Sequence, residues 1–474
     1  MYRRINWLLL ANAMLGSFLS GTASRIFNIS MPTVASSLGT DLIGISWALL
    51  AYQLSNIGLS LVFGRIGDVY GREKVYGTGF AVFSLASLLC GLSQNVLQLI
   101  LFRVLQGIAA AMFQSSGRAL AAEAVPEELG GRAQAYMTTA FHSGFLLGPS
   151  IGGLIIDYLH WRWTFFSLVP IGMLGILLTL KSPRHSVAPH RRQPVDYPGA
   201  VLLVISMIAL IGLFDRRITE LLGTWPKGAL ILTLIGSFSG FVVRESRISS
   251  PIVSLRMFKI RMFTLSSLSL VMVSICYSLT GFLLPFYLQE VLHLSPSAIG
   301  FLFVVPPIMT VSLAPLSGRL TDRVGPRLPT SLGVVALALS LLVGVTLKPD
   351  SHWLLPTFML WLGGIANGIF NPANSVGMIS PLPKEHMGFG SAAHHVMFSL
   401  GNIFGIALGG FLMTTAFEFY TGIPGVTATT ENPHAFVAAL TTTYLVALGL
   451  SLIALVASAM IGSKVQSHTR AVEH

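Results

Sequence analysis

The sequence predicts an all-α polytopic membrane protein made of two related six-helix bundles with an inserted helix pair. Three observations carry that prediction: a composition that is 53% hydrophobic and only 10% charged, fourteen long apolar stretches, and a charged turn that occurs twice. Ordinary soluble domains carry about 25% charged residues. A chain of 474 residues has room for this many spans with short loops, because a membrane helix needs only about 20 residues.

Fourteen apolar stretches follow one another, each near the length that crosses the hydrocarbon core. They lie near 7–32, 42–63, 75–94, 97–119, 133–156, 164–182, 198–214, 225–243, 263–288, 298–317, 328–347, 353–377, 389–415 and 436–461. The basic N-terminus resembles the start of a signal peptide. However, the first stretch reaches Pro32 without a small-residue cleavage site, so it is predicted as the first membrane helix.

Basic residues divide unevenly between the two sides that these stretches define. Most of the 29 Lys and Arg residues lie in the N-terminus, the even-numbered connections and the C-terminus. The other side holds Arg162, Arg216, Arg217, Lys227 and Lys348. Cytoplasmic loops carry such an excess, so the prediction is a plasma-membrane protein with both termini in the cytoplasm. The same distribution accounts for the net charge of +11 without a nucleic-acid partner.

The charged turn occurs after the second and after the tenth stretch. Residues 64–75 read GRIGDVYGREKV, and residues 318–327 read GRLTDRVGPR. Many secondary transporters are built from such internal repeats. A basic, proline-containing linker begins at Pro183. The predicted organisation is therefore a six-helix bundle in 1–182, a linker and inserted helix pair in 183–262, and a second six-helix bundle in 263–474.

Ionisable residues inside the stretches are few. None of the 18 Asp and Glu residues is predicted in the middle of a stretch, where proton-coupled carriers commonly use a carboxylate. The residues predicted there are Arg25, Arg103, His142, His394 and His395. A histidine exchanges its proton near neutral pH, so any proton coupling is predicted to use one of the three histidines.

The two deep arginines each have more than one interpretation. Arg25 either faces a central cavity and attracts an anionic group, or bonds helix carbonyls and polar neighbours such as Asn28, or extends to the membrane interface. Arg103, one turn before Gln106, belongs either to a gating network or to a structural one.

The histidines are equally open to a structural interpretation. His142 either carries protons or packs through a hydrogen bond. His394 and His395 are adjacent and point about 100° apart on a helix, so only one can face a cavity squarely. No further ligand at metal spacing accompanies them, and a metal site is not predicted.

Glycines recur at one-turn spacing in the fifth stretch, at Gly144, Gly148 and Gly152, with Pro149 among them. Small residues at this spacing allow close helix contact in lipid, and a proline adds a bend. The pattern predicts a tight, bendable seam suited to rocking of one half against the other, or else ordinary small-residue packing. A similar run, GNIFGIALGG, occupies 401–410.

Together these motifs resemble the major facilitator superfamily, and in particular its fourteen-helix drug:proton antiporter branch. The similar motifs are the loop after the second helix (64–74), the fourth-helix motif (Arg103, Gln106 and Gly107), the fifth-helix antiporter motif (144–153) and the sixth-helix entry (161–172). The resemblance covers nearly the whole chain. It implies a major facilitator fold, alternating access between two bundles, and export of a small molecule.

The first helix departs from that branch. Asn28 and Pro32 fit its pattern, but the acidic residue expected nine positions before the proline falls on Ala23, and Arg25 replaces a small polar residue. In the sixth helix Leu168 replaces the usual asparagine. The cation-binding, proton-coupling carboxylate of the branch is therefore missing, and an anionic or neutral amphipathic substrate is predicted.

These inferences define the predicted site residues. Substrate binding is assigned to Arg25, Asn28, Gln53, Asn367 and His394. Coupling or gating is assigned to Asp68, Arg72, Arg103, His142, Gly148, Pro149 and Asp322. Because Asp68 and Arg72 lie in a short cytoplasmic turn, they are predicted to control the conformational equilibrium rather than substrate recognition.

The predicted function is secondary active transport that exports a small molecule, with or without exchange for protons. The alternatives are a lipid-like anion translocator or an uncoupled facilitator, and, with less support, a transport-dead sensor or a membrane enzyme. An enzyme is not favoured because no nucleophile–base–acid set stands out in the spans. The predicted partners are a small-molecule substrate and the lipid bilayer, with no cofactor and no nucleic acid; the oligomeric state is left open, and a monomer would suffice.

Overall fold

A computed structural model describes residues 5–126, 129–182, 197–214, 224–248, 255–382, 387–423 and 432–462. The regular structure in these ranges is helical throughout, without a strand. The helices are α1 (Trp7–Ser37), α2 (Leu42–Tyr70), α3 (Arg72–Leu92), α4 (Val96–Glu123), α5 (Gly130–Tyr158), α6 (Trp163–Phe166), α7 (Leu168–Lys181), α8 (Tyr197–Phe214), α9 (Thr224–Arg247), α10 (Arg261–Phe286), α11 (Pro296–Leu302), α12 (Val305–Val324), α13 (Arg327–Val345), α14 (Leu354–Ile379), α15 (Met387–Thr421) and α16 (Pro433–Ala459). A 3₁₀ turn (Leu255–Lys259) precedes α10, and a π turn (Tyr287–Val291) follows it.

Twelve segments of the described chain are helical, long and apolar enough to cross a membrane. The pairs α6–α7 and α11–α12 each supply one such segment, so two predicted spans are each interrupted once. The predicted count of fourteen is not confirmed, because α1 and α8 fall outside the twelve. The described apolar part of α8 is only Val201–Leu213. Helix α1 is long but polar, with buried residues that include Asn12, Ser20 and Asn28.

The contacts divide the chain into two compact units. Unit 1 comprises Met1–Ile252 and Leu288–Val304, and unit 2 comprises Val253–Tyr287 and Val305–His474. The segment Leu288–Val304, which we call the strap, follows α10 in the chain but packs with unit 1, where its helix α11 contacts α5. The domain boundaries predicted at residues 182 and 262 stay predictions.

The two units repeat one pattern of helix packing. In unit 1, α1 packs on α5, α2 on α4, and α3 on both α4 and α7. In unit 2, α10 packs on α15, α12 on α14, and α13 on both α14 and α16. The helix pair α8–α9 packs on itself and touches α2. Each unit therefore has its own set of buried helix contacts.

Each of the two charged turns contains a glycine with positive φ. Gly71 ends α2 with φ +101°, and Gly325 follows α12 with φ +81°. Each donates its N–H to the carbonyl four residues earlier, Gly67 and Thr321 respectively, at 2.9 Å. Glycine is suited to this left-handed region because it has no Cβ. The copies noted in the sequence thus share a glycine with positive φ and its backbone hydrogen bond.

The first helix of each half also ends in a similar way. A residue in the left-handed region follows it, Gly39 (φ +61°) after α1 and His293 (φ +53°) after α10. A side chain then caps the next helix: Asp41 accepts from a backbone N–H at 2.9 Å, and Ser295 accepts from one at 3.3 Å. An oxygen at this position satisfies an N–H that the helix leaves without a partner.

Candidate functional site

Arg25 lies near the middle of α1 and is half-buried. Its guanidinium carbon lies 4.0 Å from the centroid of the Phe145 ring on α5. Within the described part of the chain the structure gives Arg25 no hydrogen bond and no ion pair, and in particular none with Asn28. A contact of this kind is a cation–π interaction and uses no hydrogen bond. The guanidinium N–H groups, which have no partner among the described residues, could therefore bind a ligand.

A close contact between α1 and α5 places these two side chains together. A Cβ added to Gly144 would lie 2.2 Å from the carbonyl oxygen of Phe18, and one added to Gly148 would lie 3.5 Å from Cβ of Arg25. One added to Gly152 would lie 2.8 Å from a side-chain carbon of Ile26. Glycines at one-turn spacing allow this approach. Three glycines of the predicted seam thus join two helices of unit 1.

Two other residues of the same motif contact the strap. A Cβ added to Gly153 would lie 2.2 Å from the carbonyl oxygen of Pro296. In the opposite direction, a Cβ on Gly300 would lie 2.5 Å from the carbonyl oxygen of Pro149. The fifth-helix motif therefore has two faces, one toward α1 and one toward α11.

Three rings lie close together on α5, and one of them, Phe145, contacts Arg25. Phe141 and Phe145 are one turn apart with centroids 6.1 Å from each other. His142 lies 5.6 Å from the Phe141 ring and 6.3 Å from the Phe145 ring. His142 is exposed, and no described residue hydrogen-bonds its imidazole. We call these three side chains the α5 ring row.

Arg103 is wholly buried in α4, with 0% of its surface exposed. Its Nη1 donates to Oε1 of Gln106 at 2.7 Å and its Nε donates to the carbonyl of Ala48 at 3.2 Å. Gln106 in turn donates to Oγ of Ser87 at 2.9 Å. Arg103 also approaches the carbonyl of Ala23 at 3.5 Å. The network links α1, α2, α3 and α4.

Two aromatic rings complete the surroundings of Arg103. Its guanidinium carbon lies 4.6 Å from the Phe27 centroid and 4.5 Å from the Tyr52 centroid. No described carboxylate forms an ion pair with it, and its Nη2 has no hydrogen-bond partner. The charge is stabilised by carbonyl oxygens and ring faces. This geometry fits the structural interpretation of Arg103 and keeps the guanidinium out of reach of a ligand.

The remaining polar residues assigned to unit 1 lie on α1 and α2. Asn28 follows Arg25 by three positions, on the same side of the helix. It is 7% exposed, and its Oδ1 has no partner. Gln53 is half-buried on α2, and no described hydrogen bond links it to Arg25 or Asn28.

In unit 2 the assigned residues lie on α14 and α15. Asn367 accepts a hydrogen bond from Asn371, one turn later on α14. His394 is half-buried on α15, and its Nε2 has no hydrogen-bond partner. The structure shows no contact that joins these two assigned residues among those it describes. Both remain candidates, each on its own helix.

The residues assigned to coupling at the charged turns lie at the ends of helices. Asp68 lies in the last turn of α2, but its side chain is outside the described part of the structure. Arg72, at the start of α3, pairs with Glu123 at the end of α4, with Nη1 and Oε1 2.8 Å apart. Asp322 is exposed in the last turn of α12. The turn in unit 1 is thus attached to α4 by an ion pair.

Carboxylates in the described chain lie at helix ends. The first or last turns of helices and the π turn hold Asp68, Glu73, Glu123, Asp157, Glu245, Glu290, Asp322 and Glu418, and caps and loops hold Asp41 and Asp350. The central turns hold cations instead, at Arg25 and Arg103. Among the described residues no cluster of His, Cys, Asp and Glu could hold a metal ion.

Sequence reasoning missed the partners of the assigned residues. Phe145 stands 120 positions after Arg25 in the chain, so no local pattern connects them. The same holds for Glu123 with Arg72, and for Asp157, which accepts from the backbone N–H of Ser297 at 2.9 Å. The available signal was the pair of glycine runs, which indicates that α5 and α15 each pack closely on another helix but not on which one.

Comparisons with known proteins agree on the family and the fold. A family model described as Major Facilitator Superfamily matches residues 13–279 and 266–471. The riboflavin transporter RibZ of Clostridioides difficile (strain 630) is 29% identical over 404 residues, which cover 84% of this chain and 87% of that protein. The multidrug transporter MdtP of Bacillus subtilis (strain 168) is 26% identical over 86% of this chain and 75% of its own.

Solved structures show the same fold at low identity. A bacterial homolog of the human lysosomal transporter Spinster, inward-facing and occupied, has a TM-score of 0.68 at 14% identity and covers 97% of both chains. A peptide transporter in complex with sulfate has a TM-score of 0.68 at 14% identity, covering 96% of this chain and 94% of its own. These likenesses concern the fold alone.

Proposed function

Because the chain belongs to the major facilitator superfamily and its relatives are transporters rather than enzymes, we propose that it exports an amphipathic small molecule, anionic or neutral, across the plasma membrane. The proposed cycle is alternating access between two bundles. One observation carries the proposal: two arginines, Arg25 and Arg103, lie away from the helix ends, while every described carboxylate lies at a helix end, in a cap, in a loop or in the π turn.

Arg25 is the residue on which this proposal depends. A charged side chain at the centre of a membrane helix costs about 2.5–3.5 kcal/mol on the insertion scale, and a glutamine would avoid most of that cost. Arg103 has a buried network that explains its charge, whereas Arg25 has only a ring face. An anionic group on a substrate would supply the missing partner of Arg25.

The named relatives fit a substrate of this kind. One is named for riboflavin and another for multiple drugs, so transporters similar to this chain handle organic molecules. Substrate-binding roles for Asn28, Gln53, Asn367 and His394 belong to the proposal, as does a monomer acting in the lipid bilayer without a nucleic-acid partner.

We also propose fourteen membrane helices with both termini in the cytoplasm. The twelve apolar segments would be joined by α1 and α8. Helix α1 is 31 residues long, which exceeds the length needed to span a bilayer, and five of its polar side chains are buried in protein: Asn12, Ser20, Thr22, Asn28 and Ser30. A reporter fused after His474 should be active only in the cytoplasm, and activity outside would contradict this topology.

Proton coupling, where present, would use His142, His394 or His395. His142 lies beside Phe145 and so one ring away from Arg25, which would let a bound anion sense its protonation. Flux driven by an imposed pH gradient should fall in whichever of His142→Gln, His394→Gln and His395→Gln removes the coupling residue. Equal driving in all three variants would contradict histidine coupling, and no driving in the unmodified protein would favour an uncoupled facilitator.

The gating residues make a separate proposal. Asp68, Arg72 and Asp322 lie at the two charged turns, and the ion pair of Arg72 with Glu123 would help to set the conformational equilibrium. Asp68→Asn should slow transport and leave substrate affinity within a few-fold. A collapse of affinity with turnover intact would contradict this assignment.

The central test is flux into proteoliposomes. Anionic, neutral and cationic amphiphiles of matched size are compared in the unmodified protein and in Arg25→Gln, with Ser278→Ala as control variant. Arg25→Gln should reduce the flux of anions more than that of neutral compounds, and the control should change neither. Equal reduction of both classes would show that Arg25 has a structural role, and preferred transport of cations would refute the proposed substrate class.

A further inference from the structure

We infer that the substrate of this transporter carries a flat aromatic ring as well as an acidic group, and that Phe145 with the α5 ring row selects the ring. The inference rests on the proposed function, since it names the substrate class of the same site. It is carried by the pairing of Arg25 with Phe145 and by the three rings that stand together on α5.

The first step concerns the orientation of the guanidinium. Arg25 lies over the ring of Phe145 at 4.0 Å, so the ring restricts where the guanidinium can turn. Its N–H edge has no partner among the described residues. A guanidinium of this kind matches the planar geometry of a carboxylate, sulfonate or phosphate group. The acidic group of a ligand is therefore bound at a fixed place beside Phe145.

The second step concerns what lies around that place. Phe141, His142 and Phe145 occupy one side of α5 with centroids 5.6–6.3 Å apart. Phe141 and Phe145 are half-buried, and His142 is exposed. Aromatic rings prefer to pack on one another at centroid distances of about 4.5–7 Å. A ring attached to the acidic group would meet this row, whereas a flexible alkyl chain would gain no ring contact.

The third step is that the structure supplies an internal reference. In unit 2 the glycines of α15 contact α10 as those of α5 contact α1. A Cβ on Gly405 would lie 2.8 Å from Cβ of Ser278, the position that Arg25 occupies against Gly148. There Ser278 donates to the carbonyl of Asn402 at 2.8 Å. The positions matched to Arg25 and Phe145 are Ser278 and Asn402, which carry neither charge nor ring, although Phe141 is matched by a ring at Phe398. The pairing of a cation with a ring therefore belongs to unit 1.

The test is equilibrium binding to the purified full-length protein in nanodiscs. The probes are 2-naphthoate (ring and acid), 2-naphthalenemethanol (ring without charge) and decanoate (acid on an acyl chain). The unmodified protein should bind 2-naphthoate about tenfold or more tightly than either of the others, from a charge-assisted contact plus ring packing. Correct folding of each variant is checked by gel filtration and thermal melting.

Three variants separate the contributions. Phe145→Leu should weaken the binding of 2-naphthoate about 3–10-fold more than that of decanoate, because the contact with Arg25 is common to both acids and ring packing is lost only for 2-naphthoate. Arg25→Gln should weaken the binding of both acids by about tenfold and leave the affinity for 2-naphthalenemethanol unchanged. Asn402→Leu, at the matched position of unit 2, should change none of the three. If Arg25→Gln does not fold, Arg25→Met, which keeps most of the side-chain length without the charge, takes its place with the same expected result.

The outcomes distinguish this inference from the proposed function. Equal affinity for decanoate and 2-naphthoate, with both weakened by Arg25→Gln, would overturn ring selection and leave anion export standing, with a lipid-like substrate favoured. The same conclusion follows if Phe145→Leu weakens both acids equally. If neither acid binds, or if Arg25→Gln changes neither, both the inference and the anionic substrate fall together.

Discussion

The α1–α5 seam of unit 1 and the α10–α15 seam of unit 2 have the same backbone contacts but different chemistry. Gly144, Gly148 and Gly152 approach α1, and Gly401, Gly405 and Gly409 approach α10 at the same spacing. The helix residues that they meet also match one for one: Phe18, Thr22, Arg25 and Ile26 in α1, and Val271, Ile275, Ser278 and Leu279 in α10. At the position of Arg25 the second seam has a serine.

A second pair of positions shows the same difference. A Cβ on Gly107 of α4 would contact Tyr52 and Ser55, and one on Gly364 of α14 would contact Pro306 and Met309 in the matching way. Arg103 precedes Gly107 by the same number of residues as Leu360 precedes Gly364, so Arg103 and Leu360 occupy matched positions. The repeat thus maintains glycines where helices touch and lets the other side chains differ. Both deep arginines belong to unit 1. The two units therefore have the same helix contacts but differ in the charged side chains that these helices carry.

The largest expected effect comes from exchanging the side chains at the matched positions of α4 and α14. Leu360 is 6% exposed and has no network like that of Arg103, so Leu360→Arg would bury an unpaired charge at a cost of about 2.5–3.5 kcal/mol. We expect little folded protein by fluorescence-detected gel filtration.

The reverse change supplies the control for that experiment. Arg103→Leu should fold with a lower melting temperature, because Gln106 and the carbonyl of Ala48 lose their donor at about 1–3 kcal/mol for each group left unsatisfied. Normal yield and melting temperature for Leu360→Arg would show that the two units tolerate charge equally, and the comparison would fail.

The glycine seams give an intermediate effect with a predicted order. Gly144→Ala and Gly401→Ala each place a Cβ within 3 Å of a backbone oxygen, at 2.2 Å and 2.7 Å respectively, so both should lower the melting temperature clearly; overpacking costs about 1–3 kcal/mol. At Gly148 the nearest atom is 3.2 Å away, and the loss should be smaller. If Gly148→Ala proves as harmful as Gly144→Ala, the glycine there has a role beyond close packing.

The smallest effect is expected at the left-handed residues after α1 and α10. His293 has φ +53°, a conformation that costs a residue with a Cβ about 1–2 kcal/mol. His293→Gly removes that cost but adds about 0.5–1 kcal/mol of chain entropy, so a gain within about 1 kcal/mol is expected in thermal melting. Gly39→Ala is the matched test, because a Cβ there would meet nothing within 4 Å. It should destabilise the protein through the backbone alone, and an unchanged melting temperature would contradict the assignment of strain.

The sequence predicted what depends on composition and spacing. Apolar stretches located the helices, and the repeated charged turn indicated two related halves, because both signals are local. The end of α1 at Ser37, beyond the predicted residue 32, was not predictable from hydropathy, because the last turns of the helix contain the polar residues Thr33, Ser36 and Ser37. The pairing of Arg25 with Phe145 was also out of reach, because it depends on which helices touch.

The position of Arg103 illustrates the same limit. Its burial and its distance from a carboxylate follow from the packing of four helices, which no spacing rule reports. The sequence alone left its gating and structural roles equally open. The carbonyl and ring contacts that favour the structural role come from α1 and α2, far from Arg103 in the chain.

The π turn after α10 lies where the two halves of the chain differ in length by one residue. After α1, Thr40 donates to the carbonyl of Ala35; after α10, Leu294 donates to that of Leu288, one residue further back. Up to the acceptors Ala35 and Leu288, matched residues of the two halves differ in residue number by a constant amount. From the donors Thr40 and Leu294 onward, including the caps Asp41 and Ser295, that difference is one residue larger. One amino acid was therefore inserted or lost between the acceptor and the donor. The π turn Tyr287–Val291 lies there, and a π turn is how a helix takes up one extra residue. A length mutation in an ancestral half-gene would thus have been absorbed inside the helix, leaving the glycine contacts on either side in register.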